Sequence, residues 1–263
     1  MRHKRGFAFS KFKKISNKSF DCILILAIVF LIISFQAYLF FEEVKKDFLV
    51  SDTIYLAVPL FTSIVCFCTA KSYGFSDVFG KSIFALGIGI FFYFLGEVTY
   101  LYYEYTIEAD PYPSFADLFY FLFYPFVVFH IHRNIQYFGE KVSKSTKILS
   151  GAIGIGIVGI FVFLTYSDFK NSLFSFYIGL FFIISTAVTM SFAIIGVKAF
   201  WQTVLSSSWL IITVSLLLFV VGDVWYYYLE INQLYSYKHP VNMFWIASFG
   251  FIVYAMLKHL RTM

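Results

Sequence analysis

Apolar runs of about 20 residues recur along this chain, each long enough to cross the hydrocarbon core of a bilayer as a helix. A chain so built has few ways to fold. In lipid every backbone N–H and C=O must find its partner inside the protein, so open spanning segments become helices. The runs fall at about 21–41, 53–71, 82–103, 115–133, 147–166, 173–197, 207–229 and 241–259. The loops between them are short and leave no room for an inserted soluble domain. Of the 263 residues, 60% are hydrophobic and 13% charged, with mean hydropathy +0.79. A water-soluble domain needs more charged surface. The expected fold class is an all-α polytopic membrane protein with eight transmembrane helices, and the lipid bilayer is its first partner.

Charge sets the expected orientation. Seven Lys and Arg precede the first run, which continues from Cys22 to Phe41. That is longer than a signal-peptide core, and no A-x-A site follows, so it reads as an uncleaved anchor after a basic cytoplasmic arm, residues 1–20. With the N-terminus inside, inner segments carry 16 of the 20 Lys and Arg, and only Lys45, Lys46, Lys170 and Lys238 lie outside. The positive-inside rule then predicts a multi-pass cell-membrane protein with both termini cytoplasmic. The net charge of +5 follows from this topology. It does not mark a nucleic-acid partner, because the aromatic residues lie in apolar runs and not among basic patches. Cys22, Cys66 and Cys68 lie in the runs without a C-x-x-C pair, so they read as small buried hydrophobes.

The chain also resembles itself. Gly96-Glu97-Val98-Thr99-Tyr100-Leu101-Tyr102-Tyr103-Glu104 aligns with Gly222-Asp223-Val224-Trp225-Tyr226-Tyr227-Tyr228-Leu229-Glu230, a shift of 126. Downstream, Pro113 and Asp117-Leu118-Phe119-Tyr120 face Pro240 and Asn242-Met243-Phe244-Trp245. Two four-helix repeats are therefore expected, 21–137 and 138–263. An even-helix unit returns the chain to its starting side, so the copies should be parallel, related by an axis along the membrane normal.

The repeated acids are the candidate site. An ionisable side chain within the bilayer costs several kcal/mol unless paired or solvated. Tyr93, Glu97, Tyr100 and Glu104 are spaced to share one helix face, as are Phe219, Asp223, Tyr226 and Glu230. Glu97 lies roughly 9 Å below the outer boundary at 1.5 Å per residue. Asp117 enters from the next helix, with Asn242 as its counterpart. The candidate ligand-binding residues are thus Glu97, Tyr100, Glu104, Asp117, Asp223, Tyr226, Glu230 and Asn242. Such acids can titrate, bind a cation, or accept hydrogen bonds from a ligand, and neighbouring tyrosines suit a cationic or amine-bearing one. The third outer loop holds Glu104, Glu108 and Asp110 and no Lys or Arg, a cation-attracting field. The alternative is that Glu97 and Asp223 only tie helices together.

No metal or cofactor is expected. His239 alone lies near the outer side, too few ligands for zinc. His130, His132 and His259, at inner helix ends, read as interfacial anchors. Gly154-Ile155-Gly156-Ile157-Val158-Gly159 matches G-x-G-x-x-G literally but lies within an apolar run, where small residues serve helix packing. Pro59 and Pro125 read as kinks.

Asp110-Pro111-Tyr112-Pro113-Ser114-Phe115-Ala116-Asp117-Leu118-Phe119-Tyr120, followed by Tyr124-Pro125, resembles the "YPS-x-AD-x-FY…YP" segment of multi-helix membrane sensor regions that precede prokaryotic diguanylate cyclase or histidine kinase modules. The match covers about 25–30 residues. The resemblance implies a sensory role in signal transduction. This chain ends at Met263 with no such module, so three expectations stay open: a separate signalling partner at the cytoplasmic face, a chain that is a fragment, or another job for the membrane fold. The second repeat has Lys238-His239-Pro240 in place of Tyr-Pro-Ser.

Three functions follow. The leading one is a non-enzymatic, sensor-like or ligand-binding membrane protein that takes a small ligand or cation from the outer side. The second is a small proton- or cation-coupled transporter with acids at the repeat interface. The third, an intramembrane lipid enzyme, lacks a histidine cluster or a Ser-His-Asp set, and no catalytic residue is assigned.

Overall fold

The computed structural model describes residues 25, 32, 33, 35–37, 50–109, 111–138, 142–166, 173–203, 205–236 and 239–261. The basic arm, most of the first apolar run and Asp110 lie outside the described residues. The described chain forms seven α-helices: α1 Val50–Tyr73, α2 Val78–Tyr102, α3 Phe115–Phe138, α4 Lys144–Thr165, α5 Leu173–Phe200, α6 Ser206–Ile231 and α7 Asn242–Leu260. A π-helical turn, Tyr103–Ile107, continues α2. All seven are long and apolar enough to cross a membrane. The short helical pieces of the first run bring Phe35 against Tyr55 of α1, with ring centroids 5.8 Å apart.

Local chemistry sets the helix ends. Gly74 closes α1 at φ +86°, a conformation that suits a residue without Cβ, and its N–H reaches Ala70 O at 3.1 Å. Asp77 then starts α2 by accepting the Phe79 N–H at 2.7 Å. Ser143 does the same for α4, accepting the Thr146 N–H at 3.2 Å. Each cap satisfies a donor that the first helical turn leaves open.

Helix contacts run from α1 to α2, α3, α5, α6, α7 and back to α1, closing a six-helix ring. α4 stands outside against α5. The inward side chains are large and aromatic. Phe123 stacks on Phe219 at 4.9 Å, and Tyr93 meets Phe249 edge-on at 5.0 Å. Towards the other end, Trp209 lies parallel to Phe200 at 4.6 Å and to His130 at 5.8 Å. The outward side chains are also apolar, as with Phe163 at 83% exposed. Apolar surface on both sides of a helix fits lipid contact.

Four sequence readings are corrected here. Cys66 is buried but Cys68 is exposed, because two positions apart on a helix project to different sides. His130 and His259 are not surface anchors: they are 2% and 3% exposed. The Tyr73 hydroxyl meets His259 Nδ1, and Asn134 Nδ2 donates to His130 O at 2.8 Å. Of the three spaced glycines in α4, only Gly154 packs closely, since a Cβ there would lie 2.6 Å from Ser191 Oγ. Gly156 and Gly159 meet no atom within 4 Å.

Candidate functional site

The ring encloses a cavity of about 90 Å³ at the end that carries the α2–α3 and α6–α7 connections. That is several times the ~10–15 Å³ that a single water requires. Glu97, Tyr100, Asp117, Asp223, Tyr226 and Asn242 all line it. Six of the eight predicted side chains are thus brought together from α2, α3, α6 and α7. Glu104 and Glu230 are not among the lining residues. Tyr55, Val58 and Pro59 of α1 close one side, Phe182 of α5 another, and Pro111 and Tyr112 reach in from the connection. Tyr93 and Phe249 also line the space, and with Phe123 and Phe219 they form an aromatic floor.

The two repeated acids have different surroundings. Asp223 is 4% exposed. Its Oδ2 accepts the Tyr124 hydroxyl at 2.6 Å and the Thr186 hydroxyl at 2.5 Å. Its Oδ1 accepts the Trp245 indole N–H at 3.0 Å. These donors come from α3, α5 and α7, so one carboxylate joins four helices. Glu97 is half-buried. The Tyr120 and Tyr93 hydroxyls neighbour it, and among the described residues no ring of donors from four helices surrounds it.

Asp117 has a local task besides lining the cavity. Its Oδ2 accepts the Ser114 N–H at 2.7 Å, while Ser114 Oγ accepts the Ala116 N–H at 3.1 Å. This is a variant of the capping box at the start of α3, with the Ser114 hydroxyl on the second helical N–H rather than the third. It supplies a physical role for the Ser and Asp of the Tyr-Pro-Ser-x-Ala-Asp segment. The spacing itself, a Ser and an acid three residues on before an apolar run, is the signal that identifies it. Within the same segment the Tyr112–Pro113 peptide bond is cis, and the Tyr112 hydroxyl donates to Ser175 O at 3.2 Å.

Asn242 is buried and accepts the Tyr235 hydroxyl at 3.1 Å. Burial pushes the Tyr235 hydroxyl above the ordinary tyrosine range. His239 Nδ1 accepts the Val241 N–H at 3.2 Å, which needs a free lone pair on that nitrogen. Partial burial likewise holds its imidazole below the ordinary histidine range. Two residues escaped the sequence reading. Asp52 is fully buried and accepts the Tyr105 hydroxyl at 2.7 Å. Tyr55 lines the cavity from α1.

Comparison with protein-family models, with curated proteins and with solved structures found no match to this chain.

Proposed function

We propose that this integral membrane protein receives a small ligand from the outer aqueous phase in the ring cavity, with Glu97 as the recognising carboxylate. The carrying observation is the cavity itself, which gathers six separately predicted polar and aromatic side chains at one end of the bundle. A concave site with a few convergent polar groups is what small-molecule recognition requires. The four rings of the aromatic floor pack on one another at the inner side of this space. That favours reception, as in a sensor, over passage through the bundle, as in a transporter. Occupancy would press on α2, α3, α6 and α7 together and so reach a separate signalling partner on the cytoplasmic side.

The reading places the cavity outside and both termini in the cytoplasm, on the Lys and Arg asymmetry. It also takes the ring as two parallel repeats. In support, α1 packs on α7 and α5 packs on α3, and exchanging α1 with α5 and α3 with α7 turns one contact into the other. Gly96 lies against the Tyr120 ring and Gly222 against the Trp245 indole, the same small-on-aromatic contact in each half.

Accessibility tests this. In a chain with Cys22, Cys66 and Cys68 changed to Ser, Tyr100→Cys should react with a membrane-impermeant methanethiosulfonate added outside. Val98→Cys, on the exposed face of the same turn, should react far more slowly, because a thiol facing lipid does not ionise readily. Equal rates at the two positions, or reaction of Tyr100→Cys only from the cytoplasmic side, would sink the reading.

A further inference from the structure

Resting on that reading, we propose that the cavity's occupant is a compact organic ammonium ion, held by the Glu97 carboxylate within a wall of aromatic rings.

The sign of the charge comes first. Among the described residues lining the space are Glu97, Asp117 and Asp223, and no Lys, Arg or His. Asp223 is engaged by three donors, and one oxygen of Asp117 caps α3. Glu97 is left as the acid whose charge is answered least by fixed protein groups. Among the described residues, no cation lines the space to receive an anionic ligand. A cationic ligand supplies the missing partner, and in a partly dry site that attraction is much stronger than in water.

The walls decide which cation. Tyr93, Tyr100, Tyr120, Tyr226, Tyr235 and Trp245 all line the cavity. Aromatic rings attract weakly hydrated organic cations and are the usual means of recognising quaternary ammonium groups. A calcium ion would need about 6–8 oxygen ligands. No three His, Cys, Asp or Glu side chains among the described residues come together as metal ligands. A cavity of about 90 Å³ suits a compact head group better than a long chain.

The same chemistry has two sources: a free amine in the outer phase and the ammonium head of a zwitterionic lipid. The full chain in phosphatidylglycerol nanodiscs should give a saturable change in tryptophan fluorescence with tetramethylammonium chloride. Neutral tert-butanol, of similar shape, and sodium chloride at equal ionic strength should give none. Glu97→Gln should weaken the tetramethylammonium response at least tenfold. Repeating the titration in nanodiscs containing phosphatidylethanolamine separates the sources. An unchanged response assigns the site to a free ammonium ion, and a suppressed one assigns it to the lipid head.

If tert-butanol or acetate binds as well as tetramethylammonium, the cation assignment is overturned while the cavity reading stands. If no probe gives a saturable response, the assignment is overturned as well, and the cavity reading is then judged by the Tyr100→Cys labelling. The charge comparison uses the unaltered chain, so it decides the matter even if Glu97→Gln does not fold.

Discussion

Gly80→Ala should destabilise this protein more than alanine at Gly87, Gly89, Gly96, Gly154, Gly179, Gly196 or Gly222. A Cβ at position 80 would lie 2.0 Å from Gly74 O, 2.9 Å from Gly74 C and 3.2 Å from Ala70 O. All three are backbone atoms, so no side chain can turn aside. Gly74 has little freedom to move: its O accepts the Asp77 N–H at 3.1 Å, and its N–H is held by Ala70 O. The new methyl group must therefore force α1 and α2 apart. Overpacking of this kind costs about 1–3 kcal/mol even where side chains can adjust, so a loss of about 3 kcal/mol or more is expected. Gly151→Ala and Gly156→Ala are the matched controls, since nothing lies within 4 Å of either added methyl. They should be neutral, or stabilising by about 0.5–1 kcal/mol from helix propensity. Thermal unfolding of all three in one detergent checks this. Similar melting shifts at positions 80 and 151 would show that the close α1–α2 approach is wrong.

Seven helices were legible because the bilayer imposes a length that the apolar runs must match. Their observed bounds extend the predicted runs by a few polar or interfacial residues, as in the Tyr103–Ile107 turn beyond α2. The gathering of Glu97, Asp117, Asp223 and Asn242 was legible in outline, because costly groups placed in register must share a polar space. The partners of Asp223 were not. Tyr124 and Thr186 are 99 and 37 residues away, and no local pattern says which hydroxyls a ring of helices will bring to one carboxylate. Asp52 was missed for a different reason. It stands at the edge of an apolar run, where an acid usually meets water, and its partner Tyr105 sits on the π-helical turn, which sequence periodicity does not reveal. The burial of His130 was obscured because inner-end histidines beside Arg133 look like surface residues until Trp209 and Phe200 are placed around them.

The two aligned acids should separate under mutation: Asp223→Ala should cost stability, while Glu97→Gln should cost ligand response. Removing the Asp223 carboxylate takes the shared acceptor at the cavity wall from the Tyr124 hydroxyl, the Thr186 hydroxyl and the Trp245 indole N–H. A buried donor left without a partner costs about 1–3 kcal/mol, whereas interhelical hydrogen bonds in membranes average about 0.6 kcal/mol. Three such donors in one place then set the expected loss at about 2–4 kcal/mol. Asp223→Asn should lose less, because the amide keeps one accepting oxygen and the two hydroxyls can rotate to accept from its N–H groups. Glu97→Gln keeps the shape and one acceptor for Tyr120 and Tyr93, so its unfolding should shift by no more than about 1 kcal/mol. It removes the charge, however, and with it the tetramethylammonium response. The clean measurement is unfolding of Asp223→Ala, Asp223→Asn and Glu97→Gln in the same micelle, followed by titration of whichever variants remain folded. If Asp223→Ala melts with the unaltered chain, the four-helix tie is not a source of stability. If Asp223→Asn abolishes the ammonium response while Glu97→Gln preserves it, the recognising acid has been assigned to the wrong half of the ring.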